Sequence, residues 1–483
     1  MTRPQLWFGA LVQFVILALL SLTAADADLW GHLTFGRDVL TSGHIVQVDR
    51  YSFTRDLPWI NHEWLAEIAM AAAWRTAGAI GLTTLKLALA WGAGAFVLAA
   101  WRPFRLTPLW RDGLLFVTAL GVWPLVATIR PQAFSVLLFA ALLFTLTQVR
   151  EGRGWARLVV PALFVVWVNT HGGWLVGAAT LAIFTACALI DLALPLRLRL
   201  AILVMAVASA AACLVNPYGV RMLDFLLTTV RPERADIPEW RPVTALPIAA
   251  LALWLLPMAL AAIALVRGRR FAPLWVWLTV VMLAAGSMRV ARLGGFFAIA
   301  VGLLVAPLAS GARRDDGRTT GAIDWTPVGA AICAALVALA IFGRRVSMDG
   351  EWTPEPGAVE FARSHELRGR LVTWFDYGEY AIWHLGPAMT VSMDGRRETI
   401  YSTAVRNRHT EIYRNGPGAI VAVAELRPDY VWLPVSLPVV SHLESVGWHP
   451  YYIGPRSVIL GLQPVEPTRD DRPVPPRRDF PGP

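Results

Sequence analysis

Apolar residues run in blocks of about 20 along the first 345 positions, separated by short turns rich in arginine, proline and glycine. A helix of that length crosses ~30 Å of hydrocarbon, so each block reads as a transmembrane span. The pattern predicts spans at roughly 6 to 24, 79 to 100, 113 to 129, 132 to 149, 158 to 170, 174 to 193, 200 to 215, 245 to 265, 272 to 287, 294 to 310 and 326 to 343, about eleven in all;. Between the first two blocks the spacing changes. Leu29, Leu33, Val39 and Leu40 recur at helical intervals, as do Trp64, Leu65, Ile68, Ala69 and Ala72, which predicts two amphipathic helices at the membrane interface, separated by Gly43 and Pro58;. From about 350 to 463 the runs shorten. Strands are expected at 371–375, 389–393, 430–434 and 457–461, with helices at 357–367 and 419–426, a small α/β domain;. Past Gln463 proline and charge dominate, which predicts a disordered tail over 464–483;. The expected layout is a polytopic α-helical membrane domain over 1–345, including an outer loop at 25–78, then a soluble α/β domain over 346–463 and the tail.

Composition sharpens this picture. The chain has 483 residues, 56% of them hydrophobic and only 16% charged. Soluble domains carry about 25% charge, so a water-soluble multidomain protein is excluded. The net charge of +9 could suggest nucleic acid, but most arginines flank apolar blocks, where the bilayer explains them, and no nucleic-acid module is visible. Lys86 is the sole lysine, and Cys187, Cys213 and Cys333 sit inside apolar runs as small hydrophobes;.

Arginine also orients the chain. Arg102, Arg105 and Arg111, then Arg150, Arg153 and Arg157, then Arg197 and Arg199, then Arg267, Arg269 and Arg270, then Arg313, Arg314 and Arg318 mark alternate loops as cytoplasmic;. The first block, too long for a signal-peptide core, reads as an uncleaved anchor. An odd number of spans then places loop 25–78 and everything after Val346 on the outer face.

That outer face is where polar chemistry gathers. D-A-D-L-W-G-H, Asp26 to His32, puts two carboxylates and an imidazole at a membrane exit, either as a reaction site or merely to end the span in water;. The same loop adds Arg37, Asp49, Arg50 and N-H-E-W, where His62 or Glu63 could equally cap the second helix;. Arg130-Pro131-Gln132, Asn169-Thr170-His171-Gly172-Gly173 and Asn216-Pro217-Tyr218-Gly219 form outer turns, and Arg289 and Arg292 end another span. Arg130, Arg289 and Arg292 run against the positive-inside pattern, which fits an anionic partner or snorkelling to lipid phosphates. In the soluble part, Asp376, Asp394 and Arg396 stand where strands meet loops, as turn formers or as site residues;.

Taken together, D-A-D-L-W-G-H, N-H-E-W-L-A-E, R-P-Q, N-T-H-G-G, N-P-Y-G, F-D-Y-G-E-Y-A-I-W and M-D-G-R resemble a bacterial group of multispan glycosyltransferases of the GT-C fold, the fold of protein mannosyltransferases, oligosaccharyltransferases and lipid A aminoarabinose transferases. The resemblance implies transfer of a hexosyl or pentosyl sugar from a polyprenyl-phosphate donor to a lipid or glycan acceptor, on the outer side of a bacterial cytoplasmic membrane. It implies an acidic residue at the start of the first outer loop as base or metal ligand, a position matched by Asp28, with Asp26 as its partner. It allows a divalent cation, Mg or Mn, at Asp26 and Asp28. His32, Arg37, His62, Glu63, Gln132, Asn169, His171, Asn216, Asp376, Asp394 and Arg396 are the expected substrate-binding set, with Arg130, Arg289 and Arg292 countering the phosphate leaving group. Two rivals stand beside this reading. A lipid or polysaccharide flippase would place ionisable groups at mid-span, and a non-catalytic surface-assembly protein would tolerate loss of Asp28.

Overall fold

The computed structural model describes residues 3–229, 237–268, 272–311, 326–349 and 352–483. Arg269, Arg270, Arg313, Arg314 and Arg318, used above for orientation, lie outside them. The chain divides into two compact units, one of residues 1–23 and 80–344, the other of 24–79 and 345–483. The outer loop thus groups with the carboxyl-terminal residues, not with the spans as the expected layout had it.

In the membrane unit, helices occupy every expected block, among them Arg3–Ser21, Pro108–Val126, Gln132–Arg150, Ile248–Gly268 and Leu274–Arg289. Five helices are long and apolar enough to cross a membrane: Trp64–Trp101, Pro108–Val126, Gln132–Arg150, Ile248–Gly268 and Ala291–Ala309. Several shorter apolar helices, such as Gly154–Val168 and Trp174–Ile190, accompany them, so the chain is a multi-pass membrane protein;. Gln132–Arg150 is the central helix, with Phe139, Ala140, Leu142, Leu143 and Leu146 at full burial. Its neighbours admit close packing through small residues: a Cβ on Gly177 would strike the Trp167 ring at 2.5 Å;. The one lysine is spent on structure. Lys86 Nζ donates to the Leu22 carbonyl at 2.8 Å, just past the end of Arg3–Ser21, where a helix presents unsatisfied carbonyls;.

The other unit is an α/β assembly. Its six-stranded sheet runs in the order Met389–Val391, Gly369–Thr373, Tyr430–Pro434, Ser457–Gly461, His449–Ile453, Thr468–Arg469. The first three strands pair in parallel, while Ser457–Gly461 runs antiparallel to both of its neighbours. Ser457–Gly461 is buried at all five positions, as a central strand covered on both faces must be;. Helices Ala419–Leu426 and Val439–Ser445 supply Val423, Leu426, Val439 and Leu443 to the core on one side.

Two expectations change here. Helix Leu29–Ser42 buries Leu29, Trp30, Leu33, Phe35 and Val39 in protein, so it is a core element of this unit and not an interfacial helix. Its C-terminus closes on Gly43, whose φ of 69° only glycine adopts cheaply, with its N–H bonded to Val39;. The second expected helix, starting at Trp64, ends at a break at Ala77 and Gly78, the latter at φ 56°, beyond which a separate helix continues to Trp101. The tail, expected to be disordered, is ordered. Arg477–Asp479 pairs antiparallel with Val346–Asp349, and Phe480 is buried against Trp30 and Trp74 at centroid distances of 5.0 and 5.1 Å. The proline-rich composition denies the tail a long element, but one aromatic anchor and the Trp30 indole bond to the Pro481 carbonyl at 2.9 Å fix its path;.

Candidate active site

In the α/β unit the chemistry gathers where Leu29–Ser42 begins. Asp28 holds the N-cap position, where a short acidic side chain ordinarily accepts a backbone N–H of the first turn. Here it makes no such cap bond. Its Oδ1 lies against Gly395, where a Cβ would come within 2.2 Å of it and within 2.9 Å of Glu379 Oε1. Two carboxyl groups therefore flank one glycine. Glu379, at the start of helix Gly378–Leu385, accepts the Gly31 N–H through Oε2 at 3.0 Å. A Cβ on Gly31 would stand 2.1 Å from that oxygen, so the glycine lets the carboxyl lie this close. Burial, and then the charges of Asp28 and Asp394, push Glu379 well above the usual carboxylate range against the opposing pull of Arg396;. Asp26 is half-buried two residues earlier, and its carbonyl accepts the Leu29 N–H at 3.3 Å.

One turn on, His32 Nδ1 stands 3.1 Å from Glu67 Oε1, while Asn61 donates to Glu67 Oε2 at 2.6 Å. Burial works to lower His32, but the Glu67 bond and the charges of Glu63, Glu67 and Asp28 outweigh it and push the imidazole up to about 9;. His32 is a cation at neutral pH. Glu63 lies 3.7 Å from His62 Nε2 on the rim. Arg37 is half exposed, its guanidinium 5.4 Å from the Trp383 ring centroid, beside a cavity of about 250 Å³ that Asp38, Arg50, Tyr51 and Met389 also line.

Asp394 and Arg396, expected to meet substrate, are sealed inside the unit. Arg396 donates to both Asp394 oxygens at 2.9 and 2.6 Å and to Asp49 Oδ1 at 2.5 Å. Its guanidinium sits 4.7 to 5.2 Å from the ring centroids of Phe35, Trp59 and Tyr51. Asp394 has 0% exposure and Arg396 8%. The donors of this cation are consumed by two carboxylates and its faces by three rings, which is a structural role. Asp376 is raised by burial and accepts the Trp374 indole N–H at 3.2 Å.

The membrane unit builds a second polar cluster. Arg292 donates to Gln132 Oε1 at 2.6 Å, lies 3.5 Å from His171 Nε2, and pairs with Glu239 Oε1 at 3.1 Å. Arg130 reaches the same Glu239 oxygen at 3.4 Å. Beneath them, Trp167 donates to Ser135 Oγ at 2.7 Å, and that hydroxyl lies 2.8 Å from His171 Nδ1. Four outer-turn residues named from sequence thus converge. Three others do not join them. Asn169 ties two helix ends by donating to the Val165 and Val215 carbonyls at 2.8 Å each, Asn216 Oδ1 accepts the Tyr218 N–H in a local turn, and Arg289 is exposed at its helix end;.

No three His, Cys, Asp or Glu side chains among the described residues are arranged to hold a metal ion. Asp26 and Asp28 belong to no such group.

No protein-family model matches the sequence, and no curated protein is significantly similar to it. Among solved structures, ArnT from Cupriavidus metallidurans in the apo state aligns over 95% of this chain and 97% of its own, at 13% identity and a TM-score of 0.54. The chain has the GT-C fold. An Archaeoglobus fulgidus oligosaccharyltransferase, solved in complex with Zn and sulfate, covers 93% of this chain and 73% of its own at 13% identity and a TM-score of 0.48. Within this GT-C chain, sequence reasoning passed over Glu379, Glu67 and Glu239. The first two lay inside strings singled out above, F-D-Y-G-E-Y and N-H-E-W-L-A-E, but as motif letters only. Glu239, in a P-E-W turn, carries no local signal of its own.

Proposed function

We propose that this chain is a membrane glycosyltransferase that moves a sugar from a polyprenyl-phosphate donor to a lipid or glycan acceptor at the outer face of a bacterial cytoplasmic membrane. The observation that carries the reading is Asp28: a carboxylate at an N-cap position that leaves the cap unmade and is held against Gly395 beside a second carboxyl. An acceptor hydroxyl attacking an anomeric carbon must lose its proton, and a carboxylate within reach can take it. Asp28 is that base, with the Glu379 carboxyl beside it and Asp26 near it in sequence. The leaving phosphate needs cations rather than a proton donor, since its second pKa is near ~6. Arg130 and Arg292, braced by Gln132 and His171, serve as its clamp. Arg37 and the cavity beside it receive the acceptor. The GT-C fold supports the reaction type, and eleven crossings with the α/β unit outside fit the arginine pattern.

The test is to incubate the full-length protein in detergent with a panel of polyprenyl-phosphate-linked sugars and follow release of polyprenyl phosphate. At least one donor should be consumed by the wild type. A chain that binds such donors yet turns over none is the surface-assembly protein, and one that moves the intact donor between leaflets is the flippase.

A further inference from the structure

We infer that the tail is a positioning element for the site: Phe480 and Pro481 hold in register the two helices whose starts carry Asp28 and Glu379. This rests on the reading of Asp28 as base and adds to it what keeps the two carboxyls in place. The Pro481 carbonyl accepts two hydrogen bonds, from the Trp30 indole N–H at 2.9 Å and from His384 Nε2 at 2.9 Å. A carbonyl oxygen only accepts, so His384 carries its proton on Nε2. Burial lowers that imidazole to about 4, against the pull of the Pro481 carbonyl and with the charges of Arg363 and Arg478 adding to it, so the ring is neutral;. Trp30 belongs to Leu29–Ser42 and His384 to Gly378–Leu385. One oxygen thus ties one helix to the other.

Phe480 adds packing to the same tie. Its ring is buried, 5.0 Å from the Trp30 centroid, 5.1 Å from Trp74 and 6.3 Å from Trp383. Trp30 in turn meets Tyr380 edge-on at 5.2 Å. The gripped residues are immediate neighbours of the site. Trp30 lies between Asp28 and Gly31, whose N–H Glu379 accepts at 3.0 Å, and Tyr380 follows Glu379 in the chain. Carboxyl groups packed around one glycine do not draw each other together, so the packing behind them has to set their separation. The tail also has a tether of its own. Arg477–Asp479 pairs with Val346–Asp349, and the Phe480 N–H donates to the Val346 carbonyl at 2.8 Å. Shortening the Phe480 side chain therefore removes the anchor and leaves the strand pairing.

The experiment compares full-length wild type, F480A, F480L and W30F in detergent, below every unfolding midpoint, by amide hydrogen exchange and by release of polyprenyl phosphate from a polyprenyl-phosphate-linked sugar. F480A should speed exchange over 28–33 and 377–382 by about tenfold or more while Ser457–Gly461 is unchanged, and F480L should return most of the protection. W30F keeps a ring beside Phe480 and loses the N–H; it should speed exchange there by about threefold, and it carries the comparison if F480A does not fold. In turnover, F480A should lower kcat by about tenfold to a hundredfold with donor KM moving less than about twofold, since a misplaced base costs rate and not binding. Exchange that rises everywhere alike marks a stability element only and overturns the inference, as does loosening at the site with kcat unchanged. Unaltered exchange over 28–33 in both F480A and W30F overturns it too. If the wild type turns over no donor while the exchange pattern holds, the transferase reading fails and the tie between tail and carboxyls stands.

Discussion

Replacing Arg396 with Met separates a structural from a substrate-binding role at the residue where sequence and fold disagree most. The methyl end of Met fills the slot between Phe35, Trp59 and Tyr51 but strands Asp394 and Asp49, each with a side chain at 0% exposure. Breaking a buried ion pair by removing one partner costs about 3–5 kcal/mol, because a desolvated charge is left behind. In a unit of roughly 200 residues, where 1 kcal/mol moves the midpoint by about 2–4 °C, that is a loss of about 6–20 °C. The assay is thermal unfolding of the full-length protein in detergent, followed by tryptophan fluorescence. Adding D394N to R396M should return part of the loss, since one stranded charge disappears, while D394N alone should destabilise by leaving Arg396 with a single carboxylate. An R396M protein that melts within 2 °C of wild type, as flagged by about the smallest shift a 1 kcal/mol change gives, and that shows only a raised acceptor KM, would refute the reasoning and restore Arg396 to the substrate.

Other expectations follow from neighbouring groups. His32 is raised to about 9, so its contribution to stability is complete below its unfolded value near ~6.5 and fades as pH climbs through the folded one, a difference on the order of 3 kcal/mol. The free energy of unfolding should fall between pH 6.5 and 9.5 by about that amount, and H32N should flatten the profile. Because Asp28 repels the buried Glu379, D28N should melt no lower than wild type even as turnover fails, the signature of a site kept at some cost to the fold. G31A and G395A drive a methyl into the carboxyl groups and should both lower the midpoint and abolish turnover; wild-type behaviour in either would mean the two carboxyls are not packed as described. R37A, on an exposed side chain, should raise acceptor KM with little change in the midpoint.

The sequence made the membrane helices readable because a bilayer imposes a length and a composition on every block it contains, and the same holds for Tyr430–Pro434 and Ser457–Gly461, whose short apolar runs admit little but buried strand. What stayed hidden depends on contacts between distant residues. Helix Leu29–Ser42 has an amphipathic pattern that fits a lipid surface as well as a protein core; Tyr380 and Phe480, more than 300 positions later, decide for the core. Phe480 likewise orders a tail whose composition alone predicts disorder. At the site, Asp26, Asp28 and the outer arginines stood out because charge is scarce in such a chain, and Arg130, Gln132, His171 and Arg292 do come together. Asp394 and Arg396 looked the same in a one-dimensional reading, but charge in a loop cannot reveal that its partner, Asp49, lies some 350 positions upstream.

The most direct measurement is a single-turnover assay of one accepted polyprenyl-phosphate sugar, comparing wild type with D28N at matched donor saturation. The account expects D28N to bind donor normally, remain folded and release no polyprenyl phosphate. Release at the wild-type rate from a D28N protein would contradict the assignment of this carboxylate as the base.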